Sequence, residues 1–139
     1  MLGYWDSLNP YYPVFHADDQ TIAFLWTAYD ENFQRFYQCY LRDVEEHKND
    51  RDVTPVKASP NNFIIACIPW FTFNSLSMHL QNAKNYYAPI FESGGFVEKD
   101  GVTTMPLSIT VNHATIDGYH IKVFLKELQK MMDHPEEWI

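Results

Sequence analysis

Residues 106–120 read Pro-Leu-Ser-Ile-Thr-Val-Asn-His-Ala-Thr-Ile-Asp-Gly-Tyr-His, a β-like run that breaks into a polar turn before an amphipathic segment. At its centre is the spacing His113-x-x-x-Asp117-Gly118. Histidine titrates near neutral pH and a carboxylate four residues later can orient it, so the spacing suits a general base. The alternative is a core histidine satisfied by a neighbouring carbonyl group, with Asp117 as the N-cap of the next helix. Local physics alone favours this alternative, and both interpretations stay open at this point.

The composition of the chain predicts one packed domain. Its 139 residues are 46% apolar and 17% aromatic, unlike the composition of a disordered chain. A chain of this length can bury a core, and no internal repeat or linker divides it. We therefore expect a single domain over residues 1–139.

The net charge of the chain and the spacing of its cysteines limit the classes of function that the sequence can support. A formal net charge of −8 argues against binding to nucleic acid or to an anionic membrane surface. The sequence shows neither a signal-peptide pattern nor an apolar run that could span a bilayer, which predicts a cytoplasmic protein. Cys39 and Cys67 lie far apart in apolar contexts without metal-ligand spacing, which predicts reduced core thiols and no metal site.

Apolar patterning in the first half of the chain predicts strands followed by a helix. Short strands are expected at residues 2–6, 11–15 and 21–26. From Asp30 to Val44 apolar residues recur every three or four positions, which predicts an amphipathic helix with Asp30 as its N-cap. The charged residues 45–52 and the stretch 55–62 are expected to form a solvated connection.

The second half predicts further strands and a closing helix. Residues 63–68 lack polar alternation, which is typical of a strand buried on both faces. Residues 92–98 and 102–111 are expected to pair around the tight turn at Asp100-Gly101. Apolar residues at helical spacing from Ile121 to Met132 predict a final amphipathic helix, so the whole pattern indicates an α+β layered domain.

Five further motifs precede the histidine signature in a fixed order. They are Trp5-Asp6-Ser7, Pro13-Val14-Phe15-His16, Ile68-Pro69-Trp70-Phe71-Thr72-Phe73-Asn74-Ser75, Tyr86-Tyr87-Ala88-Pro89-Ile90 and Met105-Pro106-Leu107-Ser108. With the signature, they resemble the chloramphenicol acetyltransferase family over nearly the whole chain. The His-x-x-x-Asp-Gly spacing alone is shared with dihydrolipoamide acyltransferases and other CoA-dependent transferases, whereas the ordered set is specific.

The resemblance implies a fold and a set of partners. The fold would be a two-layer α/β sandwich of the CoA-dependent acyltransferase type, a mixed sheet covered by helices, here partial because the N-terminal portion of the family is missing. The assembly would be a homo-oligomer, a trimer, with acetyl-CoA as co-substrate and a small-molecule hydroxyl acceptor meeting at subunit boundaries. The implied activity is acetylation of chloramphenicol, hence antibiotic resistance.

The resemblance also assigns roles to four residues. His113 would be the general base that takes the proton of the acceptor hydroxyl as the oxygen attacks the acetyl thioester. Asp117 would brace the loop that holds this histidine. Trp70 matches a position near the CoA arm, although a core-rim aromatic is an equal interpretation, and Phe96 keeps an aromatic face at a position that contacts the CoA nucleotide.

The sequence departs from the family pattern at several of these positions. Ala66 replaces a serine whose hydroxyl stabilises the oxyanion, and Glu92 replaces a threonine that holds the intermediate through water. Gly95 replaces a lysine that precedes the nucleotide-contacting aromatic residue. Around the histidine, Asn112, Ile116 and Tyr119 replace a histidine, a cysteine and a phenylalanine.

The missing portion of the family has two further consequences. It carries the arginine that pairs with the aspartate matching Asp117, so this carboxylate needs another partner or solvent. It also supplies early strands, so we expect the sheet to expose an edge or an apolar face. Two alternatives to acetyl transfer to chloramphenicol therefore remain, a CoA-binding or self-assembling relative without turnover and an acyltransferase that acts on another acceptor.

Overall fold

The computed structural model of the protein describes residues 3–79 and 85–139. The strands are β1 (Asn9–His16), β2 (Thr21–Trp26), β3 (Asn62–Ile68), β4 (Ile90–Gly94), β5 (Val97–Lys99), β6 (Val102–Thr104) and β7 (Leu107–Thr110). The helices are α1 (Phe33–His47) and α2 (Gly118–Asp133), and a short 3₁₀ helix follows at Pro135–Glu137.

Five of the strands form one mixed sheet in the order β2-β1-β3-β4-β7. The neighbours β1–β3 and β3–β4 are parallel, whereas β1–β2 and β4–β7 are antiparallel. Strands β5 and β6 follow β4 and precede β7 in the sequence, and they form a separate two-stranded hairpin. The expected α+β class with a mixed sheet is confirmed.

Both helices lie on one face of this sheet, which we call the helix face. Strand alternation and register put Tyr12, Ile65 and Phe91 on the helix face together. The ring of Tyr40 on α1 packs 5.2 Å from that of Tyr12, and Phe124 on α2 stacks 5.1 Å from Phe91. The protein is therefore a two-layer structure, with α1 over β1 and β2 and α2 over β4.

The opposite face of the sheet is covered by loops. The Ser108 hydroxyl donates to the carbonyl oxygen of Leu76 at 3.1 Å, and the Trp26 indole donates to that of Lys57 at 3.1 Å. We call this side the loop face. It carries the even-numbered positions of β3 and β4, among them Ala66 and Glu92.

Helix α1 begins two residues later than the sequence pattern predicts. Asn32, not Asp30, is the N-cap, because its side chain accepts a hydrogen bond from the backbone N–H of Arg35 at 2.9 Å. Asp30 instead accepts from the Asn32 N–H and from the Arg35 guanidinium. The helix continues to His47, so the first part of the predicted 45–52 connection is helical.

Two predicted strands agree with the structure, whereas one predicted hairpin is present as two separate strand pairs. Strand β2 has the predicted bounds, and β1 extends the predicted 11–15 strand at both ends. The turn at Asp100-Gly101 is present, with φ of 54° and 77°. The predicted long hairpin, however, is split into the β5–β6 hairpin and the β4–β7 pair.

Three sequence predictions were wrong in the described part of the chain. Residues 3–6 form no strand, and Leu2 lies outside the described residues. Strand β3 is not buried on both faces, because Ile65 is 43% exposed and Cys67 is exposed on the helix face. Cys67 is thus not a core thiol. Its strand lies between the two helices, where neither covers it.

Four apolar side chains are buried among the described residues. Tyr12, Ala23 and Leu25 lie on the helix face under α1, whereas Ile90 of β4 lies on the loop face. Neither α1 nor α2 has a fully buried residue, although both carry apolar side chains toward the sheet. Among the described residues no helix has the length and apolar character to cross a bilayer.

Candidate functional site

His113 lies in a short loop whose conformation depends on Asn112. The Asn112 side chain donates to the carbonyl oxygen of Tyr86 at 3.1 Å and accepts from the Ala114 N–H at 3.0 Å. The Asn112 carbonyl accepts from the N–H groups of Thr115 and Ile116. These bonds fix the backbone on both sides of His113, whose side chain is exposed. A held loop thus presents an imidazole to solvent, and His113 is not a core histidine.

Asp117 is the N-cap of α2, as the local interpretation of the sequence predicts. Its carboxylate accepts from the N–H groups of Tyr119 at 2.9 Å and His120 at 3.2 Å. The His120 ring Nδ1 lies 2.8 Å from the same oxygen, and the backbone N–H of Asp117 donates to this ring nitrogen at 3.2 Å, which completes a capping box. These bonds, the one from the His120 N–H first, hold the pKa of Asp117 below its usual value. Asp117 therefore stabilises the start of the helix that follows the His113 loop.

Asn112 and His120 organise this region through hydrogen bonds that were not predicted from the sequence. The signal for His120 was available, because an N-cap aspartate with a hydrogen-bonding side chain three residues later is the spacing of a capping box. No such local rule points to Asn112, whose partner Tyr86 is far along the chain. The His120 ring is the side chain that contacts the Asp117 carboxylate, at 2.8 Å.

Trp70 and Phe96 are chain neighbours of two residues that share a backbone hydrogen bond. Trp70 precedes Phe71, Phe96 follows Gly95, and the N–H of Gly95 donates to the carbonyl oxygen of Phe71 at 2.9 Å. Trp70 is 66% exposed, with its ring edge-on to Phe15 at 5.1 Å, and Phe96 is 72% exposed. An exposed aromatic side chain such as either of these can stack on a flat ligand.

The close approach of residues 69–71 to the end of β4 requires glycine at positions 94 and 95. A Cβ atom on Gly95 would lie 2.7 Å from the carbonyl oxygen of Pro69. On Gly94 it would lie 2.8 Å from the Pro106 ring and 3.0 Å from the Phe71 carbonyl oxygen. The position where the family has a lysine therefore has no room for a side chain unless the Pro69-Trp70 turn moves.

His113 and the two aromatic residues lie at opposite ends of β4. At one end Ile90 pairs with Thr110, the last residue of β7 before the His113 loop. At the other end Gly94 pairs with Ile68, beyond which Trp70 and Phe96 follow. Four residues of strand at about 3.3 Å each separate the ends by ~13 Å, before the loops are counted. A single chain therefore does not bring the predicted site residues together.

Glu92 lies between these two ends, on the loop face. Its neighbours in register are Ala66 on β3 and Ser108 on β7. Glu92 is 5% exposed, and its Oε2 atom has no hydrogen-bond partner among the described residues. Burial raises the pKa of this carboxyl group. Ala66 and Glu92, at which the sequence departs from the family pattern, thus lie side by side on the loop face.

A metal centre is not evident in the described ranges 3–79 and 85–139. There, no three His, Cys, Asp or Glu side chains are grouped closely enough to hold an ion. The two cysteines in these ranges are free thiols.

Comparisons with known proteins agree with the motif order. The family model described as chloramphenicol acetyltransferase matches residues 1–129. A protein named chloramphenicol acetyltransferase from Clostridium perfringens is 41% identical over 99% of this chain and 64% of its own length. One of the same name from Staphylococcus aureus is 36% identical over the same shares.

The fold comparison gives the same result at lower sequence identity. A solved structure titled chloramphenicol acetyltransferase superposes with a TM-score of 0.80 over 91% of this chain and 62% of that chain, at 19% identity. This likeness shows the fold alone. The chain spans less than two thirds of the length of the relatives that it matches.

Proposed function

The chain belongs to the chloramphenicol acetyltransferase family, and on that premise we propose that it transfers the acetyl group of acetyl-CoA to a hydroxyl group of a small acceptor, chloramphenicol first among them. The observation that carries this proposal is the exposed imidazole of His113 on a loop fixed by Asn112. An exposed, positioned histidine is the group that general-base transfer needs at neutral pH.

In the proposed reaction, the neutral imidazole of His113 accepts the proton of the acceptor hydroxyl. The oxygen attacks the thioester carbonyl carbon and forms a tetrahedral oxyanion. Collapse of this intermediate breaks the carbon–sulfur bond, and the proton held by His113 goes to the leaving CoA thiolate. A positioned base typically contributes ~10²–10⁴-fold in rate.

Asp117 acts in this proposal as a positioning residue. Its carboxylate is held by the N–H groups and the ring of its own helix, so it fixes where the His113 loop ends. A direct proton relay would instead require the carboxylate to face His113. Support for the positioning role comes from the capping box.

Trp70 and Phe96 are suited to binding acetyl-CoA. Both rings are exposed, and flat aromatic surfaces favour stacking with an adenine ring or packing against the pantetheine arm. Gly95 offers no cation for the phosphates of the nucleotide. We therefore expect the affinity for CoA to come from these aromatic faces.

A functional site in this proposal requires more than one copy of the chain. His113 and the aromatic pair lie at opposite ends of β4, so His113 of one copy would work with Trp70 and Phe96 of another. Such head-to-tail contacts close into rings, and the resemblance implies a trimer. The solution mass of the protein would test this oligomer directly.

Release of free thiol from acetyl-CoA in the presence of chloramphenicol tests the activity. We expect His113→Ala to lose at least about 100-fold in kcat, because the base is removed. His134→Ala removes another exposed histidine near the C-terminus and should leave the rate unchanged. Equal rates for the wild-type protein and His113→Ala would remove the enzyme proposal.

A second candidate function is CoA binding without turnover. The local environment of Ala66 and Glu92 favours it, since a carboxyl group replaces hydroxyl groups near a developing negative charge. Saturable CoA binding by calorimetry without thiol release would support this candidate. Thiol release that needs an acceptor other than chloramphenicol would instead indicate an acyltransferase with a different substrate.

A further inference from the structure

Glu92 places a carboxyl group inside the protein without a matching hydrogen-bond donor. The side chain is 5% exposed, and its Oε2 atom has no hydrogen-bond partner in residues 3–79 and 85–139. Buried carboxyl groups are ordinarily hydrogen-bonded or paired with a cation, because an unpartnered one costs free energy. An unpartnered oxygen of this kind is expected where a ligand supplies the donor.

The strand neighbours of Glu92 do not supply that donor. Ala66 on β3 has no polar side chain, and the Ser108 hydroxyl on β7 already donates to the carbonyl oxygen of Leu76 at 3.1 Å. Two positions further along β4, on the same face, Gly94 has no side chain. The positions that surround Glu92 in the sheet thus leave its Oε2 atom without a partner.

The charge of Glu92 is also uncompensated within the described part of the chain. The ion pairs there join Arg35 to Asp30, Arg42 to Asp43, Lys48 to Glu45 and Arg51 to Asp18, and none of them includes Glu92. Burial accordingly raises the pKa of this carboxyl group, since the charged form loses its hydration. A cation placed beside Oε2 would remove this cost.

Glu92 lies on the same side of the sheet as Trp70. The Trp70 ring packs 5.1 Å from that of Phe15, and Phe15 faces opposite to Tyr12 of the same strand, toward the loop face. Glu92 is two residues from Gly94, the end of β4 beyond which Trp70 follows, which corresponds to ~7 Å of strand. An acceptor that reacts beside Trp70 is therefore within reach of the Glu92 side chain.

A primary ammonium group matches this position. It carries three N–H donors and a positive charge, and charge-assisted hydrogen bonds are roughly twice as strong as neutral ones. It occupies about the volume of one water molecule, ~30 Å³, so it needs no large cavity. The net charge of −8 also attracts cationic ligands. A metal ion fits less well, because the described residues hold no group of three His, Cys, Asp or Glu side chains that could bind it.

We propose that Glu92 selects the acceptor, and that the substrate is a small amino alcohol whose ammonium group donates to Oε2 of Glu92 while its hydroxyl group is acetylated. This inference rests on the proposed acetyl transfer and names the substrate class. A protonated amine has no free electron pair, so the new bond to the acetyl carbon forms at the hydroxyl oxygen. The hydroxyl proton passes through His113 to the CoA thiolate as the carbon–sulfur bond breaks.

A pair of related acceptors tests the proposal. Chloramphenicol is compared with its free amine, in which removal of the dichloroacetyl group leaves an ammonium group beside the same hydroxyl groups. Binding is measured by calorimetry without acetyl-CoA, so that the result does not depend on turnover. We expect Glu92→Gln to bind the amine at least about tenfold more weakly than the wild type does, and to bind chloramphenicol no more weakly.

The control variant is Glu98→Gln on the exposed strand β5, which should change neither affinity. A second comparison uses only the unaltered protein, so the proposal stays testable if a variant fails to fold. Acetylation of the amine nitrogen before the experiment removes the positive charge, and the wild type should then bind this compound at least about tenfold more weakly than the amine. In turnover, kcat/KM for the amine should fall to a similar extent in Glu92→Gln.

Two results would overturn the proposal. One is that Glu92→Gln binds the amine as tightly as the wild type does. The other is that the wild type binds the amine and its nitrogen-acetylated form equally well. Failure of the acetyl transfer itself is recognised separately, because His113→Ala would then equal the wild type in thiol release. A loss of amine affinity in Glu92→Gln would still support selection of a cation by Glu92.

Discussion

Glu92 of β4 lies directly opposite Ala66 of β3 in a parallel pair, with its carboxyl group buried on the loop face. No hydroxyl group faces it from position 66, and Oε2 has no partner among the described residues. A buried carboxyl group without a partner is destabilising when it is ionised. This pair of residues therefore affects both the stability of the sheet and the chemistry proposed for the site.

Glu92→Gln should make the protein more stable at neutral pH. Burial raises the folded-state pKa of Glu92 above the unfolded value of about 4.5, so the unfolded state loses its proton first as the pH rises. The contribution of Glu92 to stability is then fully present below pH ~4.5 and is lost as the pH rises through the folded-state pKa. We expect Glu92→Gln to have a higher free energy of unfolding than the wild type at pH 7, measured by urea unfolding.

The control for this prediction is Glu98→Gln on the exposed strand β5. Its stability should follow the wild type at every pH. A constant difference between Glu92→Gln and the wild type from pH 4.5 to 8 would contradict the assignment of the pH dependence to Glu92.

Ala66→Ser should raise turnover if the chain is an acetyltransferase. The new hydroxyl would lie on the loop face, where it can donate to a developing oxyanion, and such a donor is commonly worth ~10²–10³-fold. Competition from Glu92 reduces this gain, so we expect about a tenfold increase in kcat and a larger one in Ala66→Ser, Glu92→Thr. Ala114→Ser, in the exposed loop, is the control. An unchanged kcat in both variants would contradict the assignment of position 66 to the stabilisation of the oxyanion.

Gly95→Ala should destabilise the protein by about 1–3 kcal/mol, because its Cβ atom would lie 2.7 Å from the Pro69 carbonyl oxygen. Gly118→Ala is a suitable comparison, since a Cβ atom there meets nothing within 4 Å. Gly95→Lys should likewise fail to strengthen CoA binding, because the Trp70 turn has to move. Tighter CoA binding by Gly95→Lys with unchanged stability would contradict this prediction, because the Pro69-Trp70 turn would then move at little cost in free energy.

Asp117→Ala should lower Tm by roughly 3–5 °C through loss of the N-cap, whereas Asp117→Asn should keep most of it. Since the Asp117 pKa is lowered, the stabilising effect of its charge is present above pH ~4 and is lost as the pH falls through the folded-state pKa. In a positioning role, kcat should fall in Asp117→Ala and stay close to wild type in Asp117→Asn. A loss in Asp117→Asn as large as in His113→Ala would point to a direct role of the carboxylate.

Local sequence rules predicted those parts of the fold that local physics determines. Strand β2 and the turn at Asp100-Gly101 follow from β propensity and turn chemistry, and both are present. The N-cap of α1 was misplaced because Asp30 and Asn32 are both good caps, and only the three-dimensional path shows which side chain reaches Arg35. The exposure of Cys67 depends on where both helices pack, which no local pattern contains.

At the candidate site, too, the features set by local sequence could be predicted and those set by long-range packing could not. The motif order identified the family and predicted His113 as a candidate base, which stays a prediction, and the capping role of Asp117 was available from its position before a helix. The tight packing around Gly95 could not be predicted from the sequence, because it depends on the Pro69-Trp70 turn crossing the end of β4. The separation of His113 from Trp70 along β4 follows only from strand register.

Complementation between two inactive variants tests the central claim most directly, which is that a site combines His113 of one copy with Trp70 and Phe96 of another. His113→Ala is mixed with Trp70→Ala, Phe96→Ala, the two are refolded together, and acetyl transfer is measured. In a head-to-tail ring with random mixing, about one quarter of the sites regain all three side chains, so we predict about a quarter of wild-type activity. A mixture no more active than its two components would contradict the claim.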